Sequence, residues 1–180
     1  MEYTLIRSSR KTLSIQITPN GELVVRAPNR MSRREIEAFL RSKEDWIRSH
    51  LQKAARHSTA AKLTEQELTA LAAQAREDLS ARTARFAPLV GVTWGRITIR
   101  AQRTRWGSCS SQGNLNFNCL LMLAPDWVRD YVVVHELCHR KEMNHSARFW
   151  EEVGRILPDY AATRKWLKEN GAALMARLPE

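Results

Sequence analysis

Residues 132 to 145, VVVHELCHRKEMNH, restrict what this chain can fold into more than any other stretch. Three of the chain's five histidines fall there, and His135 and His139 bracket Glu136 in the order H-E-x-x-H. On an α-helix, positions i and i+4 lie about 40° apart around the axis and one turn apart along it, so both imidazoles can reach one ion. Glu136 sits one residue after the first imidazole, where its carboxylate reaches a water on the ion rather than the ion itself; that is the place of a general base. The apolar run Tyr131 to Val134 leads into the motif with no Gly or Pro, which predicts a buried helix.

His145 follows His139 by six residues, the spacing of H-E-x-x-H-x-x-G-x-x-H. Glu142 occupies the glycine position of that pattern, so the chain must turn by other means, which argues against the metzincins proper. Asn144 is expected to make the turn, since Asn tolerates the left-handed region and can cap a following helix. His135, His139 and His145 are therefore the expected ligands of a zinc ion (Zn2+), with Glu136 as the catalytic base. Two alternatives stand beside this reading: a polar helix and loop without metal, and a site in which Glu151, Glu152 or Glu169 replaces His145.

At 180 residues and 43% hydrophobic content, the chain can bury one sizeable core or two small ones. Its longest apolar runs are too short to span a bilayer and its N-terminus lacks a signal-peptide layout, so a soluble cytoplasmic protein without membrane partners is expected. Three cysteines with no C-x-x-C pair fit reduced thiols, and Cys138, on a different helix face from the histidines, is expected in the core. The net charge of +10 lies wholly before the motif helix: residues 121 to 180 carry nine basic and nine acidic side chains. Such a surface can attract nucleic acid, although a solvated face accounts for it as simply.

Taken in order, Thr4–Arg7, Leu13–Thr18 and Leu23–Arg26 read as strands, the last two joined in a hairpin through Pro19, Asn20 and Gly21. Ser32 with Glu35 opens a helix to about Leu51, with Trp46 in its core face, and a break is expected over Ala54–Lys62. Thr64 with Glu67 opens another, ending near Phe86 before Pro88. Strands follow at Arg96–Arg100 and Leu115–Leu123, the latter antiparallel to the segment RTRWGSC and, over residues 114 to 118, expected to present an edge to an extended peptide. Within RWGSC, Trp106 and Cys109 are expected to pack and Gly107 to make a turn or bulge. A helix from Asp126, another opened by His145 and Ser146, and a last one stopped at Gly171 complete an α+β chain. Its division is expected at residues 1–86, a basic hairpin-plus-helices region, and 87–180, a catalytic region, in one compact unit.

The succession RWGSC, LAP, VVVHELCH, NHSARFW, LPDY and KWLKENG resembles the YgjP-like metallopeptidases, a family related to the SprT-type zincins. The resemblance is strongest from Arg105 to Gly171. It implies a zincin-like fold, with a small antiparallel or mixed sheet packed on helices that include the motif helix. It also implies a zinc ion on His135, His139 and His145, a general base at Glu136, and peptidase activity, while some family members are linked to uridine triphosphate hydrolysis. Arg140 stands where the family often has Leu, and Cys119 where it often has Trp.

Arg105, Asn116 and Tyr160 are further candidates, for substrate contact or for bracing the site. The expected function is zinc-dependent hydrolysis of peptide bonds. A metal-dependent nucleotide (UTP-type) phosphohydrolase is an alternative without a glycine-rich phosphate loop to support it, and a DNA-associated protease is a second.

Overall fold

The alternation of Leu13, Ile15 and Ile17 with Ser14, Gln16 and Thr18 makes one sheet face apolar, and the first part of the chain forms around that face. The computed structural model describes residues 2–18, 21–58 and 61–179, in two units, Met1–Ala61 and Lys62–Glu180. In the first unit, β1 (Thr4–Ser8), β2 (Ser14–Ile17) and β3 (Leu23–Pro28) lie in the order β1-β3-β2, with β1 parallel and β2 antiparallel to β3. β2 and β3 are the expected hairpin, and Gly21 (φ 82°) helps to close it; Pro19 and Asn20 lie outside the described residues.

Ser32 and Glu35 form the expected capping box, but the helix that follows is two helices. α1 (Arg33–Ser42) and α2 (Glu44–Ser58) are separated at Lys43 (φ −114°, ψ 14°). The break brings Ile36 and Leu40 of α1 and Ile47 of α2 into one core with Val25 and Ala27. α2 also continues past Ala54, where a break is expected. Trp46 is 41% exposed instead of buried and stacks on His50 with ring centroids 3.9 Å apart. Ile47, about 100° further round the helix, takes the buried place.

In the second unit, α3 (Glu65–Val90) starts at the Thr64–Glu67 capping box and passes through Pro88 to Gly91, an αL cap with φ 80°. Phe86, Ala87 and Val90 bury around Pro88, and that burial offsets the backbone hydrogen bond the proline lacks. β4 (Ile97–Arg100), β5 (Gly107–Cys109) and β6 (Leu115–Asn118) follow in the order β4-β6-β5, β4 parallel and β5 antiparallel to β6. β6 is therefore the central strand, and the expected edge at residues 114 to 118 belongs instead to β4 and β5. The strand also ends at Asn118 rather than Leu123. The Asn118 side chain accepts from the Leu120 amide and donates to the carbonyls of Gln102 and Arg105 at 2.7 and 3.0 Å, turning the chain into a 3-10 segment, Cys119–Leu123.

α4 (Asp126–Cys138), α5 (Ala147–Ile156) and α6 (Tyr160–Met175) complete the unit. α4 lies against α3, α5, α6 and β5, so it is covered nearly all round. α6 does not stop at Gly171. A Cβ there would meet the Trp106 ring at 3.2 Å, so this glycine serves close packing rather than termination. The architecture is the expected α+β one, a small mixed sheet against helices that include the H-E-x-x-H helix. Among the described residues no helix is long and apolar enough to cross a membrane.

Candidate metal centre

Val128, Val132, Val133, Val134 and Leu137 anchor α4 in the core, and His135 and His139 emerge together from its last turn. Their rings stand 4.9 Å apart, nearly perpendicular at 86°. Beyond His139 the backbone closes tightly, with the Lys141 and Glu142 amides donating to the Cys138 carbonyl at 3.0 Å. Among the described residues no non-glycine has positive φ, so Asn144 does not make the turn through the left-handed region. It also leaves the cap to another residue: its side chain accepts from the Ser146 amide, and Ser146 caps α5 through the Phe149 amide.

Glu142 acts through its backbone. Its carbonyl lies 3.0 Å from His139 Nδ1, which donates to it and so leaves Nε2 free to accept or to ligate. His135 Nδ1 faces the Tyr131 hydroxyl at 3.4 Å, and His135 Nε2 lies 3.0 Å from His145 Nε2. One ring nitrogen from each of the three histidines lies within 4.8 Å of the others. Phe149, fully buried, supports all three rings at centroid distances of 4.8, 4.6 and 4.9 Å. Trp150 stacks on His145 at 5.5 Å.

The donors fit a zinc ion. A tetrahedral ion with Zn–N bonds of about 2.0–2.1 Å holds its nitrogens about 3.3 Å apart, close to the His135–His145 separation. Ligating imidazole must be neutral. Burial, reinforced by the neighbouring histidines, holds His135 down to about 3, and burial also lowers His139. Of the acidic rivals, Glu152 pairs with Lys141 and Arg155, at 2.9 and 3.0 Å. No carboxylate joins the three histidines among the described residues.

Glu136 is 5% exposed, and burial pushes its carboxyl up to about 8 against the opposing charge of Arg105. Gly107 accounts for its seat. A Cβ on Gly107 would come within 2.5 Å of Glu136 Oε1 and 2.7 Å of its Cγ. Gly107 is therefore a strand residue that lets β5 lie directly on the carboxylate, and the expected turn or bulge is absent. Trp106, against Gly171, and Cys109, half-buried, pack as expected. Cys138 is fully buried in the core, also as expected.

Arg105 is exposed, with its charge felt at Glu136. Tyr160 stacks on Trp150 at 5.4 Å, one ring further from His145. Asn116 is set apart. It donates to Ser108 Oγ at 3.3 Å, and these paired residues share the sheet face opposite Gly107 and Phe117. Arg140, in place of the family's frequent Leu, donates to the carbonyls of Thr93 and Ser111 at 3.2 and 3.0 Å and ties two loops together. Sequence reasoning missed Gly107, Tyr131, Phe149 and Trp150 as parts of the site. The available signal was the placement of Phe149 and Trp150 four and five residues after His145, one helical turn on.

The family model described as YgjP-like, metallopeptidase domain, matches residues 11–72 and 56–170. No curated protein matches the sequence. Among solved structures, the metallopeptidase zymogen of Pyrococcus abyssi abylysin is similar at 20% identity and a TM-score of 0.45, over 50% of this chain and 92% of that one. The metallopeptidase zymogen of Methanocaldococcus jannaschii jannalysin is similar at 16% identity and a TM-score of 0.46, over 51% and 95%. These two likenesses are partial, each covering about half of this chain.

Proposed function

The chain belongs to the YgjP-like metallopeptidase family, and from that premise we propose that it hydrolyses peptide bonds with a zinc ion held by His135, His139 and His145 and with Glu136 as general base. As a metallopeptidase it acts on peptides or proteins. The observation that carries the residue assignment is the convergence of three imidazoles, two of them 3.0 Å apart through Nε2, with a buried carboxylate next in sequence to the first of them. Zinc bound there supplies Lewis acidity toward the scissile carbonyl and makes water acidic enough to be deprotonated near neutral pH.

The chain's own residues supply the rest. The Glu142 carbonyl holds His139 in the tautomer that presents Nε2, and the Tyr131 hydroxyl orients the His135 ring from its Nδ1 side. Glu136, fixed against Gly107, takes the proton of the attacking water and passes it to the leaving amine. Arg105 favours its ionised form. Tyr160, behind Trp150, positions the ring that stacks on His145. Three free thiols support a cytoplasmic site of action.

Metal analysis of the purified protein, followed by peptide hydrolysis by wild type and by His145→Ala, tests the proposal. One zinc per chain, lost with His145 together with activity, is expected. Unchanged zinc stoichiometry in His145→Ala would remove His145 from the ligand set.

A further inference from the structure

Arg164 is not accounted for by the chemistry above. It lies on α6, one turn after Tyr160, and its guanidinium carbon stands 4.1 Å over the Trp150 ring. Trp150 in turn stacks on His145 and on Tyr160. A guanidinium resting on an aromatic face is held in place without using its N–H donors, which stay free for a planar anion. Arg164 is exposed, and among the described residues no carboxylate lies within ion-pair distance of it. Arg155, Arg82 and Arg129 are used differently: Arg155 pairs with Glu152, and Arg82 and Arg129 pair with Asp78 and Asp126.

One further contact places this cation beside the site rather than merely on the surface. The contact runs through Trp150, which touches both His145 and Phe149 of the metal cluster. An unpaired cation next to a metal site weakens cation binding there, so its presence adds nothing to metal affinity. It does suit a substrate that brings its own negative charge.

We propose that Arg164, held on Trp150, is a specificity residue that receives a carboxylate of the peptide substrate, either an acidic side chain near the scissile bond or the chain's own C-terminus. Arg164 contacts no reacting atom. The proposal rests on the peptidase reading given above. The planar fork of guanidinium and carboxylate gives two parallel N–H···O bonds, which Lys reproduces only in part.

The test uses three peptides of one core sequence: neutral and C-terminally amidated, amidated with one internal Glu, and neutral with a free C-terminal carboxylate. Hydrolysis by wild type, Arg164→Gln and Arg164→Lys gives the ratio of kcat/KM for each charged peptide to that for the neutral one. Binding of the same peptides to Glu136→Gln, with and without Arg164→Gln, gives a readout that does not need turnover. We expect a carboxylate preference of roughly tenfold in wild type, carried by KM, lost in Arg164→Gln, partly kept in Arg164→Lys and weakened by salt. Whichever charged peptide shows it identifies the source of the carboxylate. A ratio and a binding preference that are the same in wild type and Arg164→Gln would overturn the proposal while leaving the peptidase reading intact. Binding that follows Arg164 with no hydrolysis by wild type would overturn the peptidase reading and keep the carboxylate site.

Discussion

Glu136, the proposed general base, is a side chain whose burial opposes its own ionisation. Glu136→Gln keeps the volume and the contact with Gly107 but cannot accept a proton, so peptide hydrolysis is expected to fall roughly 10²–10⁴-fold with zinc content unchanged. Activity near the wild-type level in the zinc-loaded variant would remove Glu136 from the mechanism. Gly107→Ala is the companion experiment. The new methyl falls within 2.5 Å of Oε1, so kcat is expected to drop roughly tenfold or more while zinc stays bound. The ionisable pair also sets a pH profile for the metal-free protein. Burial holds His135 down to about 3 when folded against an ordinary 6.5, so its contribution to stability is lost as pH falls from about 6.5 toward 3. Glu136 is pushed up to about 8 against an ordinary 4.5, so its contribution is lost as pH rises from about 4.5 toward 8. Between about 4.5 and 6.5 the two slopes oppose each other. Bound zinc favours neutral imidazole and ionised carboxylate, so thermal melts across pH are expected to show the loaded protein gaining most on the alkaline side.

At the scale of elements, α3 and α4 are joined by a compact ion-pair cluster. Arg82 bonds Asp78 at 2.7 Å and Asp126 at 3.0 Å and also pairs with Asp130, while Arg129 pairs with Asp78 at 3.2 Å. Hydrogen bonds that Arg82 donates to Asp78 raise the Arg82 pKa, and although burial pushes the Asp78 carboxyl up, the two arginines hold it below its usual range. Removing one partner leaves half-buried charges unpaired, so Arg82→Ala is expected to cost about 2–3 kcal/mol of unfolding free energy in denaturant titrations. A cost below about 0.5 kcal/mol would class the cluster with ordinary surface pairs. Phe149 links α5 to the candidate metal site, and Phe149→Ala should cost about 3–5 kcal/mol and weaken zinc affinity as well, since all three imidazoles rest on that ring.

At the scale of the whole molecule, the second unit contains every proposed ligand, the base and Arg164. It also has its own core around Leu79, Phe117, Leu137 and Phe149. Expressed alone, residues 62–180 are therefore expected to fold cooperatively and to bind one zinc ion, as read by calorimetry with and without chelator. A fragment that neither folds nor binds zinc would show that the first unit is required.

The sequence by itself determined the ingredients of the site. H-E-x-x-H and the six-residue step to His145 are spacings along one chain, and helical periodicity turns such spacings into proximity without any knowledge of the rest. The capping boxes at Ser32 and Thr64 were equally legible, because their partners sit three residues apart. Only the tertiary structure decided what crosses between distant segments. Gly107 meets Glu136 across 29 residues and Gly171 meets Trp106 across 65, so a glycine that reads as a turn or a stop turns out to be a close approach. β6 became the central strand because β4 joined it in parallel, a pairing that no local pattern encodes. Arg164 reached Trp150 in the same way: the stacking depends on how α5 and α6 pack, which neither segment specifies alone.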